Sequence, residues 1–291
     1  MAKYDPLAKR IGRLKPLDFV KFAYPKSKVE EITFEDREFE FTHKNVDLLL
    51  KVKSKEEGEF YFHLEFQGNI TEKTFLERML VYSARIMEEF GKPVKTMVIF
   101  LRSTKEIREL PSPMKWSLAG EDLISLNYTK FILPEENWKN LLKKGMEAFL
   151  PLIPLTKIPK GEEKEALKQT IEKIERIKDP KIRQEFAALF YVVGQDNYEK
   201  NLIETLIGGK LMAELLESKT LQSFKDEGKI EKSKELMIEL LEHRFKKLSK
   251  KLKDKIALLQ DQEQLDSLYR HALKVYDLTE FEKLIDSPNK S

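Results

Sequence analysis

The spacing of apolar residues changes character along the chain. Up to about Leu155, short apolar runs of period two are interleaved with helical spacings, which predicts a mixed α/β region. Beyond it the apolar positions recur almost entirely at helical spacing, which predicts an all-α half. Residues 31–40 (EITFEDREFE) predict a strand pair or extended stretch. Residues 46–52 (VDLLLKV) predict an apolar strand with Asp47 inside it, and residues 60–67 (FYFHLEFQ) predict the next strand. The polar turn at 53–59, with Gly58, makes the two an antiparallel hairpin. Phe75, Met79, Ile86 and Phe90 predict a helix over 72–90, ended by Gly91 and Pro93. Residues 94–101 predict a buried strand, 125–133 a further strand, and 135–150 a helix.

Pro151, Pro154 and Pro159 mark 151–160 as a linker. The helical half then predicts segments over 162–177, 180–193, 198–218 (with Gly208-Gly209 as a soft point), 224–244, 248–259, 265–276 and 279–285. The expected organisation is a domain over 1–155, a helical connecting region over 156–222 and a small helical domain over 223–291. No repeat of 20–50 residues is visible.

Composition narrows the chemistry. The chain has no cysteine, which removes disulfides, thiol nucleophiles and Cys-held metals. Four histidines are scattered along it, and no Walker loop, G-x-G-x-x-G or G-x-S-x-G occurs, so no nucleotide cofactor is expected. No apolar run approaches the roughly 18 residues of a membrane span, and 1–15 lacks an apolar leader core, so a cytoplasmic location without a membrane partner is expected. The net charge of +3 excludes a histone-like binder but not a local basic surface such as 246–255, where six Lys accompany one Asp. The ordinary reading of that run is a solvated helix face. The 42 Lys against 11 Arg, without Cys, fit a thermophile habit.

The informative segment is 47–82. Asp47, Leu49 and Lys51 share one strand face, and Tyr61, His63, Glu65 and Gln67 share a face of the next, with Phe60, Phe62, Leu64 and Phe66 opposite. If the strands pair, Asp47 and Glu65 stand side by side. Two adjacent carboxylates repel unless a positive charge lies between them. A hard divalent cation answers that need, since Mg²⁺ prefers carboxylate oxygens and keeps several waters. Gln67 could orient a water or a phosphate oxygen. Arg78, Tyr82 and Arg85 fall at i, i+4 and i+7 of the following helix and could hold a phosphate or brace the carboxylates. The plainer readings are a structural ion pair for Asp47, a solvated strand face for Glu65 and Gln67, and a polar neighbour or core-edge histidine for His63.

Asp47 followed by Glu65-Phe66-Gln67 resembles the PD-(D/E)XK nuclease core in an E-x-Q form. The Arg78-x-x-x-Tyr82 helix, the FGKPV turn and the apolar strand after it resemble the Rpn family, recombination-promoting nucleases also described as transposase-like. The likeness covers roughly 5–155. About 226–285 resembles a small helical domain of unknown function attached to many relatives. The resemblance implies a restriction-endonuclease-like mixed sheet flanked by helices, and Mg²⁺-dependent (or Mn²⁺-dependent) endonucleolytic cleavage of DNA phosphodiesters. Asp47 and Glu65 would ligate the metal. Gln67 stands where such sites usually carry a lysine, and a neutral amide offers no positive charge to a transition state. Lys51 is the candidate for that charge, and Asp18 the candidate for an acid on the first helix. His63, Arg78 and Tyr82 would support the site, with Arg78, Arg85 and Lys51 toward DNA. The C-terminal helices would serve homodimerisation or DNA positioning. The alternative is a catalytically degenerate nuclease fold that binds nucleic acid or protein.

Overall fold

The polar turn ahead of Gly58 does close a hairpin. Gly58 has a φ of 72°, a conformation that favours glycine, and the strands on either side pair antiparallel from Ser54–Gly58 to Leu48–Leu64. A computed structural model of the chain describes residues 5–26, 28–35, 46–68, 75–143 and 146–286. Residues 36–40 of the 31–40 stretch expected to be extended lie outside them, as does His43, one of the four histidines.

Two compact units divide the chain, Met1–Leu215 and Leu216–Ser291. The first opens with helices α1 (Asp5–Leu14) and α2 (Pro16–Ala23), then strands β1 (Val29–Phe34), β2 (Leu48–Ser54) and β3 (Gly58–Gln67). Helix α3 (Phe75–Phe90) crosses to β4 (Val94–Phe100), followed by α4 (Lys105–Glu109), β5 (Met114–Leu118), β6 (Glu121–Leu126) and β7 (Tyr128–Ile132). Helices α5 (Trp138–Lys143), α6 (Glu163–Glu175), α7 (Pro180–Asn197), α8 (Lys200–Leu206) and α9 (Gly209–Leu216) complete it. The main sheet is mixed and five-stranded, in the order β1-β2-β3-β4-β7. β1, β2 and β3 are antiparallel neighbours, while β3, β4 and β7 run parallel. β5 and β6 form a separate hairpin inserted before β7.

Both faces of the sheet are covered. Phe60, Phe62, Leu64 and Phe66 lie under α1 and α2: Phe19 meets Phe66 edge-on at 5.7 Å, and Tyr24 meets Phe60 and Phe62. A Cβ on Gly12 would lie 3.2 Å from the Phe66 ring and 3.4 Å from Leu48, so glycine lets α1 settle closely on the hairpin. Helix α3 covers the other face, where Ile86 packs with Leu49 and Tyr61, and Met79 and Tyr82 pack with Val98 and Phe100. Gly91, with φ 60°, ends α3 by donating its N–H to the Met87 carbonyl.

Several expectations are corrected. The first strand of the hairpin begins at Leu48, so Asp47 sits just before it. The β3 face carrying His63 and Glu65 is buried rather than solvated, because α3 lies over it. The stretch 147–155, read as helix giving way to linker, is a 3-10 helix whose residues 148–155 are all buried. Its prolines spare it the amide donors an α-helix needs, and its apolar side chains (Phe149 against Phe19, Phe22 and Phe131) fill the space beneath α2. The predicted 135–150 helix is correspondingly shorter, Trp138–Lys143. The β5–β6 hairpin was not predicted.

In the C-terminal unit, α10 (Lys219–Phe245), α11 (Lys250–Leu258), α12 (Gln262–Ala272) and α13 (Leu278–Asp286) enclose their own core. Met237, Leu241, Leu252, Ile256, Leu265, Leu268 and Phe281 are buried in it, and Ile230, Ile238 and Phe245 pack against it. The apolar stripe of α10 is thus used within the unit. Ser218, Ser249 and Asp261 cap their helices through side-chain oxygens. Among the described residues no helix is long and apolar enough to cross a membrane.

Candidate active site

The β2–β3 register decides where the carboxylates fall. Leu48 pairs with Leu64, and Asp47, one residue before β2, lies at the end of β3 within electrostatic reach of Glu65. Both are buried, at 9 % and 5 % exposure. Asp47 Oδ2 accepts the Phe66 N–H at 2.9 Å, which holds the carboxylate against the end of β3. Its Oδ1 faces Lys9 Nζ of α1 at 2.6 Å. Burial first, and the Glu65 charge second, push the Asp47 carboxyl up to about 7 against the opposing pull of Lys9. The pair is therefore short of positive charge even with one ammonium in contact.

His63 is fully buried, and its Nε2 lies 3.0 Å from Glu65 Oε1. The Tyr82 ring packs on it edge-on at 5.7 Å. His63 Nδ1 has no hydrogen-bond partner. The imidazole thus fixes one oxygen of Glu65 from within the sheet layer. Gln67, two residues on, accepts from Arg78 Nη2 at 3.4 Å, and the Arg78 guanidinium also lies over the Phe75 ring at 5.3 Å. Strand β3 and helix α3 together bring His63, Glu65, Gln67, Arg78 and Tyr82 into one cluster with Asp47.

Three candidates are placed elsewhere. Lys51 lies four residues along β2 from Asp47, and its Nζ pairs with Glu59 at 3.5 Å. Arg85 is on the exposed side of α3. Asp18 accepts the Ala148 N–H at 3.0 Å and so anchors the start of the 3-10 helix to α2, on the sheet face opposite α3. Lys9 is the site residue that sequence reasoning missed. Its one signal is a glycine three residues later in an amphipathic helix, which hints that this helix packs closely on a neighbouring element.

Among the described residues no group of three or more His, Cys, Asp or Glu side chains is arranged to hold an ion. Two adjacent carboxylates with an unmet need for positive charge nevertheless fit a hard ion that keeps most of its waters. Asp47 and Glu65 would hold it.

Comparison of the chain with protein-family models, with curated proteins and with solved structures returned no match.

Proposed function

We propose that the protein is a metal-dependent DNA endonuclease, its N-terminal sheet a restriction-endonuclease-like fold of the PD-(D/E)XK kind. One observation carries the reading: a register-fixed, buried carboxylate pair whose Asp47 is driven to about 7 by burial and by Glu65. Such a pair is costly to keep charged, Lys9 offsets only part of the cost, and a divalent ion is the partner that would offset the rest in function. The Rpn-like helix and turn add a nuclease of recombination or mobile elements as the context, in the cytoplasm, with Mg²⁺ or Mn²⁺ as the ion.

When bound, the ion supplies a water of lowered pKa and neutralises charge on the phosphodiester. The chain's own residues do the rest. The Phe66 amide and Lys9 set the two oxygens of Asp47. His63 sets Glu65. Gln67 and Arg78, already in contact, offer an amide and a guanidinium to the phosphate.

The test is nicking of supercoiled plasmid with Mg²⁺, Mn²⁺ or EDTA, beside Asp47→Asn and Glu65→Gln. Metal-dependent nicking lost in both variants is the expected result. DNA binding without nicking in any metal, unaltered in both variants, would overturn it. That second outcome is the degenerate-nuclease reading, which the neutral Gln67 favours.

A further inference from the structure

We propose that Lys9 is the mobile cation of the carboxylate pair. Its ammonium neutralises Asp47 in the absence of a divalent ion and, once an ion binds, turns to the scissile phosphate as the positive charge that Gln67 cannot supply. This rests on the nuclease reading above.

Geometry gives Lys9 both positions. Asp47 Oδ2 is committed to the Phe66 amide, so Oδ1 is the oxygen open to exchange between cations, and Lys9 holds it at 2.6 Å. A divalent ion on that oxygen would meet the ammonium at contact distance, and the two repel. The ammonium then has somewhere to go. The backbone of α1 is pinned: Leu7, Ala8 and Ile11 are buried, Gly12 sits against Phe66 and Leu48, and Arg10 pairs with Glu185 at 2.9 Å. The Lys9 side chain itself is 44 % exposed, so its four-carbon stem can swing from a fixed Cα.

No other lysine considered for the site has this placement. Lys51 is held by Glu59 at a distance along β2, and position 67 is an amide in contact with Arg78. A neutral Gln67 and a lysine delivered from α1 are complementary halves of one arrangement. The charge needed near the phosphate comes from a different element, and it doubles as the counter-ion of Asp47.

The test separates the two roles by moving them in opposite directions. The intact protein, its Lys9→Gln and Lys9→Arg variants, and Asp47→Asn are titrated calorimetrically with Mn²⁺ at one pH, and plasmid nicking is measured at saturating Mn²⁺. Removing a partly solvated competing charge is expected to tighten Mn²⁺ about tenfold in Lys9→Gln, with Lys9→Arg within about twofold of the parent. Nicking is expected to fall at least about tenfold in Lys9→Gln and to recover in large part in Lys9→Arg. A purely structural lysine would not tighten the metal while slowing the cut. Unchanged Mn²⁺ affinity or unchanged nicking in Lys9→Gln overturns this assignment alone, provided Asp47→Asn abolishes the isotherm. Mn²⁺ binding by the parent without nicking overturns the phosphate role. No binding by the parent, or binding that survives Asp47→Asn, overturns the nuclease site and this proposal together.

Discussion

The two faces of β3 are both buried, by opposite physics. Phe60, Phe62, Leu64 and Phe66 meet aromatic and aliphatic side chains of α1 and α2, and their burial is favourable in itself. Tyr61, His63 and Glu65 are as deeply covered by α3, yet there burial must be offset group by group: His63 on Glu65, Ser83 on Thr96, the Phe66 amide and Lys9 on Asp47. The first face stabilises the fold. The second gives up part of that stability to keep two carboxylates close together, a cost that makes the pair the candidate for chemistry.

The largest effect should come from the apolar face. Phe62→Ala is expected to cost about 3–5 kcal/mol in urea denaturation, since the ring is fully buried against Tyr24. A smaller loss would mean that α2 collapses into the cavity. On the polar face the leading effect is a pH dependence. Asp47 is raised in the folded state from 3.8 to about 7, so the folded protein holds its proton more tightly than the unfolded chain. The native state is then favoured below about pH 4. It loses roughly 2–4 kcal/mol as pH climbs to 7, and the loss is complete above it. Asp47→Asn should flatten that slope, read as melting temperature against pH in EDTA, and a divalent ion should flatten it in the parent. An unchanged slope in Asp47→Asn would place the unfavourable charge elsewhere.

Two weaker perturbations sharpen the contrast. His63→Leu keeps the bulk of the imidazole but leaves Glu65 Oε1 without its buried partner, for an expected cost of about 1–3 kcal/mol by chemical denaturation. Lys51→Ala, on the same strand face as Asp47, removes only a half-exposed pair with Glu59. It should change stability by less than about 1 kcal/mol and leave nicking intact. A larger effect on nicking would return Lys51 to the site.

Much of this was readable from residue order. Period-two alternation located β2 and β3, helical spacing located α3, and strand parity alone put Asp47 beside Glu65. Alternation could not reveal what covers each face. A row of Tyr, His, Glu and Gln looks solvated until α3 is placed on it. Density of proline misled at 151–160, because a run such as FLPLIPL is apolar enough to be core once its missing amides cease to matter. Lys9 was invisible for a related reason: its partner is set by how α1 packs, not by any local pattern. The β5–β6 hairpin had a turn signal, Ala119-Gly120, both at positive φ, but its flanking residues are largely exposed and lack clean alternation.

The bond from Asp18 to the Ala148 amide spans 130 residues, and Arg10 pairs with Glu185. Both fasten the start of the chain to segments made long afterwards. During synthesis the β2–β3 hairpin gives α1 a first surface by Gln67, but the Arg10 tie waits until α7 has left the ribosome, and at about 5–20 residues per second that is a wait of roughly ten to forty seconds. Contacts this distant in sequence also slow the search for the native state. Asp47 therefore meets Lys9 once the hairpin has formed, while the helix that carries the lysine is fully pinned only after most of the N-terminal unit has been made.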